Sequence, residues 1–203
     1  MNNTEKSYFN AAQFKIETMT GEEVIILAHE INGGGVNTTI PMTLRPCPAL
    51  TKKQKIRDSQ IVKEICYLHD VINEKDRAVE KFFENKHRLS DPSYWEMLRT
   101  MWIANGKMEN LNAFKQMFQS KRPFKRFLMT IEEESAFNEL PDIVIAYRVQ
   151  AKSVDIGISW TLSREFVEQY AKKLNRVIIE RQFQKTKIIA YFNRRDEQEI
   201  IVL

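Results

Sequence analysis

Two carboxylates late in the chain are spaced so that they could act together. Glu197 and Glu199 are separated by one residue and are followed directly by the apolar residues 200–203. In an extended strand, residues i and i+2 project to the same face about 7 Å apart, so both carboxylates would point the same way. Such a pair could serve acid-base chemistry and stabilise positive charge. Charged residues at a strand end also protect sheet edges. The spacing alone therefore fits either a functional site or a protected edge.

Other polar residues interrupt apolar strands upstream. Arg148 follows the apolar residues 143–147, so its charge must either reach water or meet a partner. Ser159 and Thr161 flank Trp160, and strand alternation places the two hydroxyls on one face and the indole on the other. Each of these features also occurs at ordinary strand ends.

A β-rich segment must position these residues. Residues 142–150, 155–163, 176–181, 185–192 and 199–203 are rich in β-branched and aromatic residues and predict strands. Between the second and third, Ser163 can cap a helix whose apolar face comprises Phe166, Val167, Tyr170, Ala171 and Leu174. Residues 141–203 are therefore predicted to fold as β-β-α-β-β-β.

The preceding residues, 51–140, have helical periodicity. Ser90 or Asp91 can cap a helix that has Pro92 in its first turn and Gly106 at its end. Along it, apolar residues form a stripe that predicts core packing: Trp95, Leu98, Met101 and Trp102. Thr130 and Glu133 have the spacing of a capping box.

The first 50 residues predict a short β segment and a linker. Residues 14–30 read as two strands around Thr20-Gly21, and Gly33–Gly35 with a proline-rich stretch predict a flexible loop. We therefore expect three segments, 1–50, 51–140 and 141–203, in one compact domain. Its class is α+β, with a helical block ahead of a mixed β-sheet.

Composition narrows the possible ligands and the cellular compartment of the protein. The 31 basic and 27 acidic residues are interspersed, although residues 52–55 and 121–126 form short basic runs that could touch phosphate. Two cysteines predict a reducing compartment, and neither a signal peptide nor a membrane-spanning run is evident. His29, His69 and His87 lack ligand spacing, so no metal site is predicted. We expect a cytoplasmic protein that does not bind a membrane.

The order of these motifs resembles that of Arg-Ser-Glu mono-ADP-ribosyltransferases. The resemblance covers about residues 140–203 and rests on Tyr147-Arg148, on the segment 158–163 with the helix behind it, and on Glu197-Gln198-Glu199. The helical block looks like the helical subdomain that many such enzymes place ahead of the sheet. The chain is also similar to small phage or prophage proteins that combine these motifs. A phage origin would make the host cytoplasm its location.

The resemblance implies a role for each catalytic residue. Glu199 would stabilise the oxocarbenium-like transition state as the bond between nicotinamide and ribose breaks. Ser159 would hold Glu199 in one rotamer, and Glu197 would orient or deprotonate the acceptor. A glutamate at the position of Glu197 weakly favours arginine as the acceptor.

The resemblance also implies a binding site for NAD, which would be the substrate. Arg148 would clamp the phosphates or the adjacent ribose, and Tyr147, Trp160 and Thr161 would complete the site. Arg148, Ser159 and Glu199 should then converge on one cleft.

Three functions are consistent with the sequence. The leading one is NAD-dependent mono-ADP-ribosylation of a protein. The second is a noncatalytic phage or host accessory protein that binds nucleic acid or protein through its helical block, which contains Trp95, Trp102 and the basic residues 121–126. The third uses the same glycosidic chemistry for NAD hydrolysis or for transfer to nucleic acid.

Overall fold

The computed structural model describes the backbone of residues 11–17 and 23–29 and, with side chains, residues 48–105, 110–150, 157–193 and 197–203. The chain divides into two units, Met1–Thr51 and Lys52–Leu203. In the first unit, β1 (Ala11–Glu17) and β2 (Glu23–His29) pair antiparallel, which confirms the two predicted strands. The predicted Gly33–Gly35 loop lies outside the described residues. The helical block and the second sheet belong together to the second unit.

The second unit begins with helices. They are α1 (Lys52–Cys66), a π-helical turn (Tyr67–Val71), α2 (Lys75–Asn85), a 3₁₀ turn (Lys86–Arg88), α3 (Asp91–Asn105), α4 (Leu111–Phe118), a 3₁₀ turn (Lys125–Leu128) and α5 (Ile131–Glu139). Within the described ranges, none of the helices has the length and apolar character that crossing a membrane requires.

The sequence signals account for two helices of this block, α3 and α5. In α3 the predicted apolar stripe is buried in the core, including both Trp95 and Trp102. In α5 the capping box forms as predicted: Thr130 accepts the Glu133 backbone N–H, and the Glu133 carboxylate accepts the Thr130 N–H. Because Trp95 and Trp102 are both buried, neither belongs to the exposed binding surface expected for an accessory protein.

The sheet follows the helical block. Its elements are β3 (Ile143–Val149), β4 (Ser159–Thr161), α6 (Arg164–Leu174), β5 (Ile178–Gln184), a 3₁₀ turn (Lys185–Lys187), β6 (Ile188–Phe192) and β7 (Glu199–Val202). The strand order is β5-β3-β4-β7-β6. The α+β class is confirmed. The described strand pairs are all antiparallel, which corrects the expectation of a mixed sheet.

Strand register assigns each side chain to one of two faces. Tyr147 pairs with Thr161, and Thr161 pairs with Glu199, so these residues share one face, which we call the Glu199 face. Trp160 pairs with Ile200 on the opposite face, the Trp160 face. The Trp160 face is the apolar core, against which Ala136 and Phe137 of α5 and Leu140 just after it pack. The Glu199 face carries Ser159, Thr161 and Glu199, and it also includes the buried apolar residues Phe192 and Ile201.

Candidate active site

Glu199 accepts hydrogen bonds from two fixed donors. The hydroxyl of Ser159, on the neighbouring strand β4, donates to Oε1 of Glu199. The indole Nε1–H of Trp102, on α3, donates to the same oxygen at 3.2 Å. Ser159 and Glu199 are both half-buried, so these bonds are partly shielded from water. The carboxylate is therefore held in one orientation by groups from a strand and from a helix.

Helical packing determines where the Trp102 donor lies. The indole is 5% exposed and meets Phe114 and Phe118 edge to face, with ring centroids 5.1 and 5.4 Å away. A buried indole N–H needs an acceptor, and Glu199 supplies it. The sequence pattern gave no indication of this contact, because the spacing of Trp102 within α3 predicts only core packing.

The second carboxylate residue, Glu197, precedes the strand. β7 begins at Glu199, and Gln198 has a left-handed backbone with φ 45°. Strand alternation therefore does not extend to Glu197, which corrects the expectation that the two carboxylates follow one extended strand. The Thr161 hydroxyl donates to the Glu197 carbonyl oxygen, and the Leu162 N–H donates to the Gln198 carbonyl at 3.0 Å. These bonds fasten the residues before β7 to the end of β4.

Tyr147 and Thr161 share the face of Glu199. Each is paired with a neighbour in the row Tyr147, Thr161, Glu199, which crosses β3, β4 and β7. Of the four residues that the resemblance implies for NAD binding, these two lie on the same face as the carboxylate. Thr161 is buried and Tyr147 is half-buried.

Arg148 lies on the opposite face. Its guanidinium Cζ is 4.4 Å from the centroid of the Trp160 ring, and the Arg181 guanidinium lies 5.4 Å from the same ring. Burial, and next the charge of Arg181, lower the pKa of Arg148 below its ordinary value. A Cβ at Gly157 would come within 2.5 Å of Arg148 Nη1, so this position of the guanidinium depends on the glycine.

The expected convergence of Arg148, Ser159 and Glu199 on one cleft is therefore only partial. Ser159 and Glu199 meet as predicted, whereas Arg148 does not join them. The reason is register: Tyr147 pairs with Thr161, so the next residue must project to the other face.

Trp160 is also removed from the expected NAD site. Its side chain is 3% exposed and packs against Phe183, with ring centroids 4.9 Å apart. Alternation along β4 places the indole in the core, on the face away from Ser159 and Thr161. It therefore fills the core and cannot stack on a nicotinamide ring at Glu199.

The group formed by Glu199 and its two donors, Ser159 and Trp102, can perform electrostatic catalysis. A carboxylate held by a hydroxyl and an indole N–H presents a fixed negative charge, and such preorganised charge stabilises a cationic transition state. In the part of the chain that the structure describes, no cluster of histidine, cysteine and acidic side chains is arranged to hold a metal ion. Comparisons with protein-family models, with curated proteins and with solved structures found no match for the chain.

Proposed function

We propose that this protein is an NAD-dependent mono-ADP-ribosyltransferase that modifies a protein, with Glu199 as its central carboxylate. The observation that supports the proposal is the hydrogen bond from Ser159 to Glu199. It joins the two residues whose order in the sequence suggested this chemistry. The Trp102 donor adds a second restraint on the same oxygen.

In the proposed reaction, the bond between ribose C1′ and the nicotinamide nitrogen breaks, and its electron pair leaves with nicotinamide. The ribose then carries oxocarbenium character, which the negative charge of Glu199 stabilises. A nucleophilic group of the acceptor protein forms the new bond to C1′ and loses a proton. Glu197 would receive or direct that proton, and arginine is the favoured acceptor residue.

The direct test is incubation of the protein with labelled NAD and a cell lysate. Wild type is expected to transfer label to protein, and Glu199→Gln is expected to lose at least about a hundredfold in rate, because it removes the charge but keeps the shape. Glu180→Gln is the matched control, because Glu180 lies on the same face and pairs with Tyr147. Absence of transfer by wild type, or equal transfer by Glu199→Gln, would refute the proposal.

Two alternatives are outcomes of the same experiment. If wild type consumes NAD without labelling protein, free ADP-ribose indicates hydrolysis, and labelled nucleic acid indicates a different acceptor. Chromatography of the products separates these reactions.

A noncatalytic nucleic-acid-binding protein would show salt-sensitive retention of nucleic acid without NAD consumption. The basic residues 121–126 are the feature that suggested it. Within them, Arg122 bonds Asp91 at 2.6 Å and the carbonyl oxygens of Lys86 and Leu89 at 2.7 Å each. This arginine therefore holds the helical block together and is not available as a phosphate contact, so we favour the site at Glu199.

A further inference from the structure

An arginine other than Arg148 lies on the Glu199 face. Arg164 is the first residue of α6, and its guanidinium Cζ is 5.9 Å from the centroid of the Tyr147 ring. Tyr147 is two strands away from Glu199 in one paired row, which corresponds to about 10 Å between their Cα atoms. A guanidinium and a carboxylate therefore occupy the same face, separated by the width of about two strands.

The connection between β4 and α6 fixes the position of the Arg164 backbone. Only Leu162 and Ser163 separate Thr161 from the helix. The Ser163 N–H donates to Thr161 Oγ1 at 3.0 Å, and Ser163 Oγ accepts the N–H of Phe166 at 3.2 Å. The Thr161 hydroxyl also donates to the carbonyl of Glu197. One hydroxyl thus ties the start of α6 to the residues that precede Glu199.

Arg164 can accept a new anionic partner at little cost. Its present ionic partner is Glu168, four residues later, with Nε and Oε1 2.9 Å apart. The two side chains are 69% and 54% exposed, and exposed pairs at this spacing contribute little to stability. A phosphate group offers more charge than one carboxylate and matches the planar guanidinium through paired hydrogen bonds.

We propose that Arg164, and not Arg148, binds the diphosphate of NAD when the ribose lies at Glu199. This inference rests on the proposed function for the identity of the dinucleotide. The anion-binding role of Arg164 itself rests on the placement of its guanidinium beside Tyr147, on the face of Glu199. The ligand would cross β4 above Thr161, with its phosphates towards α6.

Calorimetric titration with NAD, and separately with inorganic pyrophosphate, tests the assignment. Arg164→Gln is expected to weaken both ligands at least about tenfold, the effect of losing hydrogen bonds to a charged group. Arg164→Lys should weaken them less, because it keeps the charge and loses the planar fork. Glu168→Gln should tighten both, because it releases the guanidinium. Arg181→Gln is the matched control, since Arg181 is an exposed arginine on the Trp160 face, and it should bind both ligands as wild type does.

The outcomes separate this inference from the proposed function. If Arg164→Gln binds NAD and pyrophosphate as tightly as wild type while wild type transfers ADP-ribose, the Arg164 assignment is overturned and the function stands. If pyrophosphate binding depends on Arg164 but wild type never consumes NAD, the anion site stands and the function falls. If wild type binds neither ligand, both are overturned. Circular dichroism of each variant confirms that it is folded.

Discussion

Trp102 and Glu199 are 97 residues apart in the sequence, and the indole N–H of the first donates to the carboxylate of the second at 3.2 Å. The helical block therefore contributes directly to the candidate active site. Arg99, one turn earlier on α3, bonds Glu133 of α5, whose carboxylate also accepts the Asn193 N–H at the end of β6. One helix thus holds both strands of the β6–β7 pair.

Trp102→Phe should separate catalysis from folding. Phenylalanine keeps an aromatic ring against Phe114 and Phe118 but removes the donor to Glu199. We expect kcat for NAD consumption to fall about tenfold and the free energy of unfolding to fall by about 1–2 kcal/mol. Trp95→Phe is the control, because Trp95 lies in the same helix and donates its indole N–H to Pro123 O at 2.8 Å. An equal effect of both variants on kcat would contradict a role for Trp102 at the site.

Ser159→Ala tests whether the hydroxyl positions Glu199. Without this donor the carboxylate can leave its present rotamer, so we expect kcat to fall about tenfold to a hundredfold while the Kd for NAD changes less than about twofold. Thr130→Ala is the control: it removes the cap of α5, lowers stability by about 1 kcal/mol and leaves kcat unchanged.

The double variant Ser159→Ala/Trp102→Phe should raise the activation free energy by less than the sum of the two single variants. The reason is that both residues restrain the same oxygen of Glu199.

Arg148→Ala should affect stability and not NAD binding. The guanidinium packs over Trp160 on the face away from Glu199, so its loss should lower the free energy of unfolding by about 1–2 kcal/mol. The Kd for NAD, measured by calorimetry, should stay within about twofold of wild type. A loss of tenfold or more would contradict the register of β3 against β4 and restore Arg148 to the NAD site.

Local features of this fold could be predicted from the sequence because their causes are local. Thr130 caps α5 and Ser163 caps α6 through contacts with residues three positions later. The placement of Ser159 and Thr161 on one face follows from strand alternation alone. The partnership of Ser159 with Glu199 could be anticipated only through the resemblance, since 40 residues separate them.

The rest of the site depends on strand register and helix packing, which neighbouring residues do not encode. The face of Arg148 depends on which residue of β3 opposes Thr161, and a shift of one residue would reverse it. The contribution of Trp102 depends on how α3 lies on the sheet. The expectation that Glu197 and Glu199 follow one extended strand is wrong because the left-handed backbone of Gln198 interrupts the segment.

Glu133→Ala should destabilise the second unit more than any surface substitution. The Glu133 side chain is 6% exposed and accepts four N–H bonds, two from Arg99, one from Thr130 and one from Asn193. Removal of this carboxylate leaves a partly buried guanidinium and two backbone donors without their acceptor, so we expect a loss of about 3 kcal/mol in urea denaturation. Glu132→Ala, an exposed change in the same helical turn, should cost less than about 1 kcal/mol. Similar urea midpoints of unfolding for the two variants would show that the Glu133 contacts add little to stability.

The thiol of Cys66 should react slowly with alkylating reagents. Burial, and next the negative charge of Asp70, raise its pKa above the ordinary value. Because the thiolate is the reactive form, alkylation at pH 8 should be slower than for a free cysteine and should increase through a higher pH range. The rate can be followed with iodoacetamide in a Cys47→Ser background, so that only Cys66 is labelled. Asp70→Asn removes the charge and should increase the rate at pH 8; an unchanged or slower rate would exclude Asp70 as a cause of the shift.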